Sequence, residues 1–149
     1  MIRELLSYRL HEVANLLSRG AELRYRREFG VSLWEWRTIA LLGGAAEPLS
    51  LNHLAHAAGI HKSQMSRVVS GLTKRKLVLR EADPADARGL RLRLSSPGRK
   101  VYQGLIEAAG ERDAAFRNCL SSKESEVFNR ALAKLADQAR QLIQREKSR

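Results

Sequence analysis

Between His61 and Ser70 the chain sets out several polar donor types at close spacing: His61, Lys62, Ser63, Gln64, Ser66, Arg67 and Ser70. No acidic residue interrupts them. Guanidinium, ammonium, amide and hydroxyl groups are the side chains that hydrogen-bond the edges of base pairs in a major groove. A purely solvated helix surface more often interleaves Glu with Lys. Further on, Asp86 and Arg88 stand two apart in Asp83-Pro84-Ala85-Asp86-Ala87-Arg88-Gly89. An Arg carried on a projecting loop can enter a minor groove, where negative potential is focused, and a carboxylate beside it can hold its guanidinium by paired hydrogen bonds. The same two residues can equally form an ordinary surface ion pair of little energetic weight.

Those groups need elements to present them. Ser50 to Ala58 has the pattern of a short helix with Ser50 as N-cap, and Leu54, Ala55 and Ala58 form its small apolar face. A Gly59-Ile60 turn follows, then a second helix from His61 to Lys74 whose Met65, Val68, Val69 and Leu72 share the opposite side from the donors. Leu77 to Glu81 and Leu90 to Leu94 read as an antiparallel pair, the second alternating Leu90, Leu92 and Leu94 with Arg91 and Arg93, around an Asp83-Pro84-Ala85-Asp86 turn. Two helices about a tight Gly turn with a hairpin behind them predict a winged helix-turn-helix.

Longer helices flank this centre. Leu6, Leu10, Val13 and Leu17, widened by Leu5, Leu16 and Leu23, give an amphipathic helix from about Arg3 to Glu28, ended by Phe29-Gly30. Ser32-Leu-Trp-Glu35 has capping-box spacing and opens a helix that stops at Gly43-Gly44. Ser96 as cap with Pro97 in the first turn predicts another helix, which Gly104 and Gly110 weaken or bend. Ser121-Ser-Lys-Glu124 opens a last helix through about Glu146, with a stripe through Val127, Phe128, Leu132, Leu135, Ala139, Leu142 and Ile143. The expected class is mainly α with a small β-hairpin wing: one unit over 1–149, with a DNA-binding lobe at 31–96 flanked by dimerisation helices at 1–30 and 97–149.

Charge agrees with a polyanionic partner. Lys and Arg number 27 against 16 Asp and Glu in 149 residues, and eight of the eleven net positive charges fall between His61 and Lys100. Such a field concentrates nucleic acid and favours counterion release. The one cysteine, Cys119, cannot close an intrachain disulfide; beside Phe116 and Leu120 it reads as a buried, inert thiol. Nothing in the sequence has the length of a membrane span or the form of a signal peptide, so a cytoplasmic protein is expected. No nucleophile, base and orienting group occur together and no phosphate-cradling Gly loop is present, which argues against an enzyme. His53 and His56 lack the partners of a metal site, so neither metal nor cofactor is expected.

Several of these stretches together resemble the MarR (multiple antibiotic resistance regulator) winged-helix transcription factors. They are Leu33-Trp-Glu-Trp36-Arg37, Leu54-Ala55 with Gly59-Ile60, Lys62-Ser-Gln-Met-Ser-Arg67 through Leu72, the wing Asp83-Pro84-Ala-Asp86-Ala-Arg88, and Leu94-Ser95-Ser-Pro-Gly98-Arg99. The resemblance implies a homodimer on a pseudo-palindromic DNA operator, with Arg88 in the minor groove and Asp86 orienting it. The expected DNA-binding set is Ser50, His61, Lys62, Ser63, Gln64, Ser66, Arg67, Lys74, Arg75, Asp86, Arg88 and Arg91. Two positions depart from the family pattern: Lys76 stands where a Gly is usual, which implies a differently shaped turn into the wing, and Gly71 replaces a polar residue. The resemblance also implies a repressor released by a small aromatic anion. His11, Trp34, Trp36 and Arg37 are the side chains suited to line its site, the tryptophans serving equally well as core filling. The competing expectation is an architectural protein that coats DNA with little sequence preference.

Overall fold

A computed structural model describes residues 1–149, Ala87 by its backbone alone. The elements are a 3-10 turn at Ile2–Glu4, then α1 (Leu6–Phe29), α2 (Leu33–Gly44), β1 (Leu49–Ser50), α3 (Leu51–Ala58), α4 (Lys62–Lys74), β2 (Val78–Asp83), β3 (Asp86–Leu94), α5 (Ser96–Asn118) and α6 (Ser122–Lys147). The expected class is the one observed: a mainly helical chain with a winged helix-turn-helix. Backbone contacts group Met1–Ala109 as one compact unit and Gly110–Arg149 as a second. The first half of α5 therefore belongs with the lobe, where Leu105 and Ala108 are buried.

Local chemistry starts most of the helices. Ser32 Oγ accepts the Glu35 N–H at 3.2 Å while Glu35 Oε1 accepts the Ser32 N–H at 3.0 Å, and the same reciprocal pair joins Ser121 and Glu124 ahead of α6. Ser50 caps α3 by accepting the His53 N–H. The start of α5 differs from expectation. Ser95, one residue before the predicted cap, accepts the Gly98 N–H at 3.0 Å and itself donates to the Lys76 carbonyl at 2.6 Å. A distant acceptor thus decided which of two adjacent serines became the cap.

The core of the lobe joins Ile39 and Leu42 of α2, Leu54 of α3, Met65, Val69 and Leu72 of α4, Val78, Leu92 and Leu94 of the sheet, and Leu105 of α5. α3 and α4 meet at Gly59, whose φ of 70° lets the chain turn left-handed and leave the helix at once. α5 runs unbroken through Gly104 and Gly110. At Gly104 a Cβ would lie 2.6 Å from the Phe29 ring of α1, so this glycine admits a neighbour rather than marking a bend.

The sheet order is β1-β3-β2, all antiparallel. β1 was not foreseen; two residues, Leu49 paired with Leu92 and Ser50 with Arg91, are too few to show an alternating pattern. Leu92 and Leu94 face the core as expected, but Leu90 is 49% exposed. The hairpin outruns the lobe there, because β1 pairs with β3 only at Arg91 and Leu92.

The turn from α4 into the wing also departs from expectation. Lys76 has φ 59°, the left-handed conformation of the glycine usual at this point. Lys76 N–H bonds to the Thr73 carbonyl and Leu77 N–H to the Leu72 carbonyl, both at 3.0 Å, which is the Schellman ending of a helix. The turn keeps its glycine shape and the side chain bears the strain, about 1 to 2 kcal/mol for an L-residue. Replacing Lys76 by Gly should raise the melting temperature and Lys76→Val should lower it, each by a few degrees and about 1 kcal/mol, in thermal unfolding followed by circular dichroism.

Within Gly110–Arg149, Cys119 is exposed, contrary to expectation, and its Sγ–H donates to the Phe116 carbonyl at 2.9 Å. It sits in the turn that follows α5, exposed at the surface. On α6 an apolar groove of about 580 Å³ runs past Leu120, Val127, Phe128 and Ala131. Among the described residues no helix is long and apolar enough to cross a membrane.

Candidate nucleic-acid interface

Burial of Met65, Val69 and Leu72 fixes the rotation of α4 about its axis, and the 3.6-residue period then decides what faces out. Lys62, Ser63, Gln64, Ser66 and Arg67 are all exposed over its first two turns. Among the described residues none of these five side chains makes a hydrogen bond or ion pair, so every donor remains available. His61 is the N-cap residue, also exposed, and makes no side-chain cap bond. The N-terminal end of α4 carries no acidic residue.

Beside this face stands the wing. A cleft of about 320 Å³ is lined by Ser50, Asn52, Lys62, Asp83, Asp86, Arg88 and Leu90, so the helix start and the wing tip share one concave surface. Ser50 and Asn52 bring in the start of α3. Asn52 was not anticipated: its place on the second residue of α3 carries no periodic signal, and only the fold sets it beside Lys62. Gly71 has open space around it, so a side chain there would point to solvent.

The wing is braced by acid-base pairs along β2 and β3. Glu81 pairs with Arg93, and Asp83 Oδ2 lies 3.3 Å from Arg91 Nε, an ion pair without hydrogen-bond alignment. Arg91 also donates to the Pro48 carbonyl at 3.4 Å and is half-buried, so the guanidinium expected at DNA is held within the wing base. At the tip, Asp83 Oδ1 accepts the Ala85 N–H at 2.9 Å and Asp86 Oδ1 accepts the Arg88 N–H at 3.0 Å. Asp86 therefore shapes the backbone of Arg88 rather than gripping its guanidinium, as was expected. Among the described residues the Arg88 guanidinium makes no hydrogen bond or ion pair; it extends from the tip into solvent.

The remaining expected residues are placed as follows. Lys74 ends α4 and is exposed. Arg75 is bound to Gly30 and Glu35 and does not stand free at the surface. Trp36 packs at 5.0 Å on the Tyr25 ring and also lines a cleft of about 380 Å³ with Arg37, Ala40, Leu41, Ala57 and Ala58. Arg37 lies 4.7 Å over the Trp34 ring and donates to Ser18 Oγ at 3.3 Å. Trp36 and Arg37 thus share a cleft that neither Trp34 nor His11 lines; exposed His11 instead bonds Asn15 at 2.9 Å on α1. Among the described residues no three His, Cys, Asp or Glu side chains gather as metal ligands.

A family model described as MarR family matches residues 29–89, the span from the α1–α2 junction to the wing. The HTH-type transcriptional regulator FarR of Neisseria gonorrhoeae is 31% identical over 102 residues, which are 68% of this chain and 69% of that one. The chain belongs to the MarR family. It is thereby a transcriptional regulator of the DNA-binding winged-helix kind. The transcriptional regulator HosA of Escherichia coli O111:H- is 32% identical over 82 residues, 55% of this chain and 61% of that one. Among solved structures the fold follows a Staphylococcus aureus MepR–DNA complex with a TM-score of 0.83, at 21% identity over 90% of this chain and 98% of that one. A probable transcriptional regulator from Pseudomonas aeruginosa gives 0.73 at 26% identity, over 91% and 99%. The exposed donors of α4 and the free Arg88 lie in the elements by which this MarR-family chain is matched.

The wing tip is testable by titration. The Ala85 N–H, and after it Arg91, hold the Asp83 carboxyl below its ordinary 3.8. A lowered value means the carboxylate braces the tip fully above that pH, and its support fades only as pH falls through the folded value. The amide shift of Ala85, followed by NMR in acid, should titrate with a midpoint below 3.8, and Asp83→Ala should abolish that transition.

Proposed function

We propose that the chain acts as a homodimeric, sequence-specific regulator that represses transcription and leaves its operator when a small aromatic anion binds. Lys62, Ser63, Gln64, Ser66 and Arg67 read or position one major groove, and Arg88 enters the adjoining minor groove. The observation that carries this reading is the acid-free, unbonded outer face of α4 sharing one cleft with a wing tip whose backbone is fixed while its Arg88 guanidinium is not. Fixed backbone with a free cation suits a group that must reach into a groove. Ser50, His61 and Lys74 border that surface and contribute backbone contacts.

The dimer reading is supported by apolar faces without cover in one chain. On α1 these are Leu6, Val13, Leu16 and Leu23; on α6 they are Val127, Phe128, Leu132, Leu142 and Ile143. Exposed apolar area on this scale marks an association surface. The residues 1–30 and 97–149 serve that pairing, and 31–96 serve DNA. A two-fold dimer presents two α4 helices to half-sites about one DNA turn apart. The cleft of Trp36 and Arg37 supports the anion reading, an aromatic wall beside a guanidinium being suited to an aryl carboxylate.

Selection from a randomised duplex pool at fixed physiological salt should enrich a pseudo-palindrome bound about a thousandfold more tightly than random DNA. Equal affinity for both would make the protein an architectural coat instead. Arg88→Ala should weaken the enriched duplex about tenfold or more, and unchanged affinity removes the wing from the mechanism. One member of a panel of aromatic carboxylates should release the duplex, an effect that Arg37→Ala reduces. Sedimentation should give the mass of two chains, shifted toward one by Leu132→Glu.

A further inference from the structure

The C-terminal end of α4 is tied to a distant part of the lobe by a side chain that the DNA-reading face does not use. Arg75 Nη1 donates both to the Gly30 carbonyl at 2.9 Å and to Glu35 Oε2 at 3.1 Å. Glu35 is already held when Arg75 reaches it, because its other oxygen accepts the Ser32 N–H in the box that opens α2. The Glu35 side chain is 21% exposed and that of Arg75 42%, so the bridge lies at the edge of the lobe with its acceptor the better covered partner. On the other side of the same turn, Ser95 donates its hydroxyl to the Lys76 carbonyl and its N–H, at 3.0 Å, to the Leu77 carbonyl. Residues 75–77 are therefore gripped by the α1–α2 junction through Arg75 and by the start of α5 through Ser95.

The apolar contacts of Met65, Val69 and Leu72 fix how α4 is turned about its axis, but they lie along one stripe and resist end-to-end rocking less well. A 13-residue helix is about 20 Å long, so a rock of about 10° about its far end moves the first turn by about 3 Å, a whole hydrogen-bond length. We propose that Arg75 is a positioning residue. Its bridge to Glu35 and Gly30 sets the angle at which α4 presents Lys62 to Arg67, and the Arg75 charge, already paired, adds no phosphate contact. This rests on the DNA-reading role of α4 proposed above.

The test separates the bridge from a direct contact by sign. Glu35→Gln keeps an acceptor for Ser32, since Gln serves at that position of the box, and turns an amide nitrogen toward Arg75, donor to donor. Loss of an acidic charge by itself tightens binding to a polyanion. The bridge requires the opposite. Wild type, Glu35→Gln, Arg75→Ala and the double variant are compared on a duplex enriched by the wild-type chain and on its scrambled sequence, from roughly 50 to 200 mM salt. Each single variant should bind the enriched duplex about tenfold more weakly, and the double variant no more weakly still. Affinity for the scrambled duplex should stay within about twofold. The slope of log affinity against log salt should be unchanged in Arg75→Ala, where loss of a phosphate contact would flatten it by about 0.9. Thermal melts identify any variant that has lost its fold, and Glu35→Gln decides the matter if Arg75→Ala has. An enriched duplex that Glu35→Gln binds at least as tightly as wild type, or a flattened slope in Arg75→Ala, overturns the bridge alone. A pool that enriches nothing removes the DNA-reading role of α4 and the positioning role with it.

Discussion

Burying Met65, Val69 and Leu72 is the constraint on which the rest of the lobe depends. Each is nearly or wholly removed from water, and together they contribute several kcal/mol that no other orientation of α4 recovers. Once that stripe is inward, Lys62, Ser63, Gln64, Ser66 and Arg67 have nowhere to go but outward. The reading face is thus a consequence of core packing. α2 and α3 supply the receiving surface through Ile39, Leu42 and Leu54, and the Thr38 hydroxyl, buried against Met65, is satisfied by the Trp34 carbonyl at 2.7 Å. A polar group lies at the centre of this interface with its hydrogen bond satisfied, because its own helix takes the bond.

What could be read in advance was what is decided locally. Both capping boxes, the Ser50 cap, the Gly59 turn and the two faces of α4 follow from residues within four positions of one another, and all are as expected. The features that escaped are those decided by a partner far along the chain. Ser95 rather than Ser96 opens α5 because the Lys76 carbonyl is there to receive its hydroxyl. Arg75 looked like one more member of a basic cluster, and nothing near it in sequence announces Glu35, forty positions away. Arg91 alternates with leucines like Arg93, yet the Pro48 carbonyl and Asp83 draw it inward. Lys76 is the reverse case: comparison with the family pattern marked the residue as unusual, and the local bonds of the helix ending, with Ser95 holding the Lys76 and Leu77 carbonyls, keep the glycine shape regardless.

The basic cluster is divided by the fold into charges with different duties. Arg75, Arg91 and Arg93 are paired with Glu35, Asp83 and Glu81, so three of the eleven cations between His61 and Lys100 are committed to the scaffold. Counting charge along the chain overstates the field that DNA meets. It also conceals which cations stay unpaired on the reading face and wing tip: Lys62, Arg67 and Arg88, whose side chains form no ion pair among the described residues.

The sheet order has a consequence for how copies of the chain can meet. With β3 in the middle, β1 and β2 are both edges, and an edge strand is a template for another strand. β1 offers only two residues before the chain enters α3, too short a run to hold a visitor. β2 is longer, but it carries Arg80, Glu81 and Asp83 along its length and runs directly into Pro84, which has no N–H to give. Both edges are thus poor templates for a neighbour's backbone. The wing is therefore kept from becoming the seed of a continuous ladder between molecules, even at the high local concentration that adjacent sites on one stretch of DNA would impose.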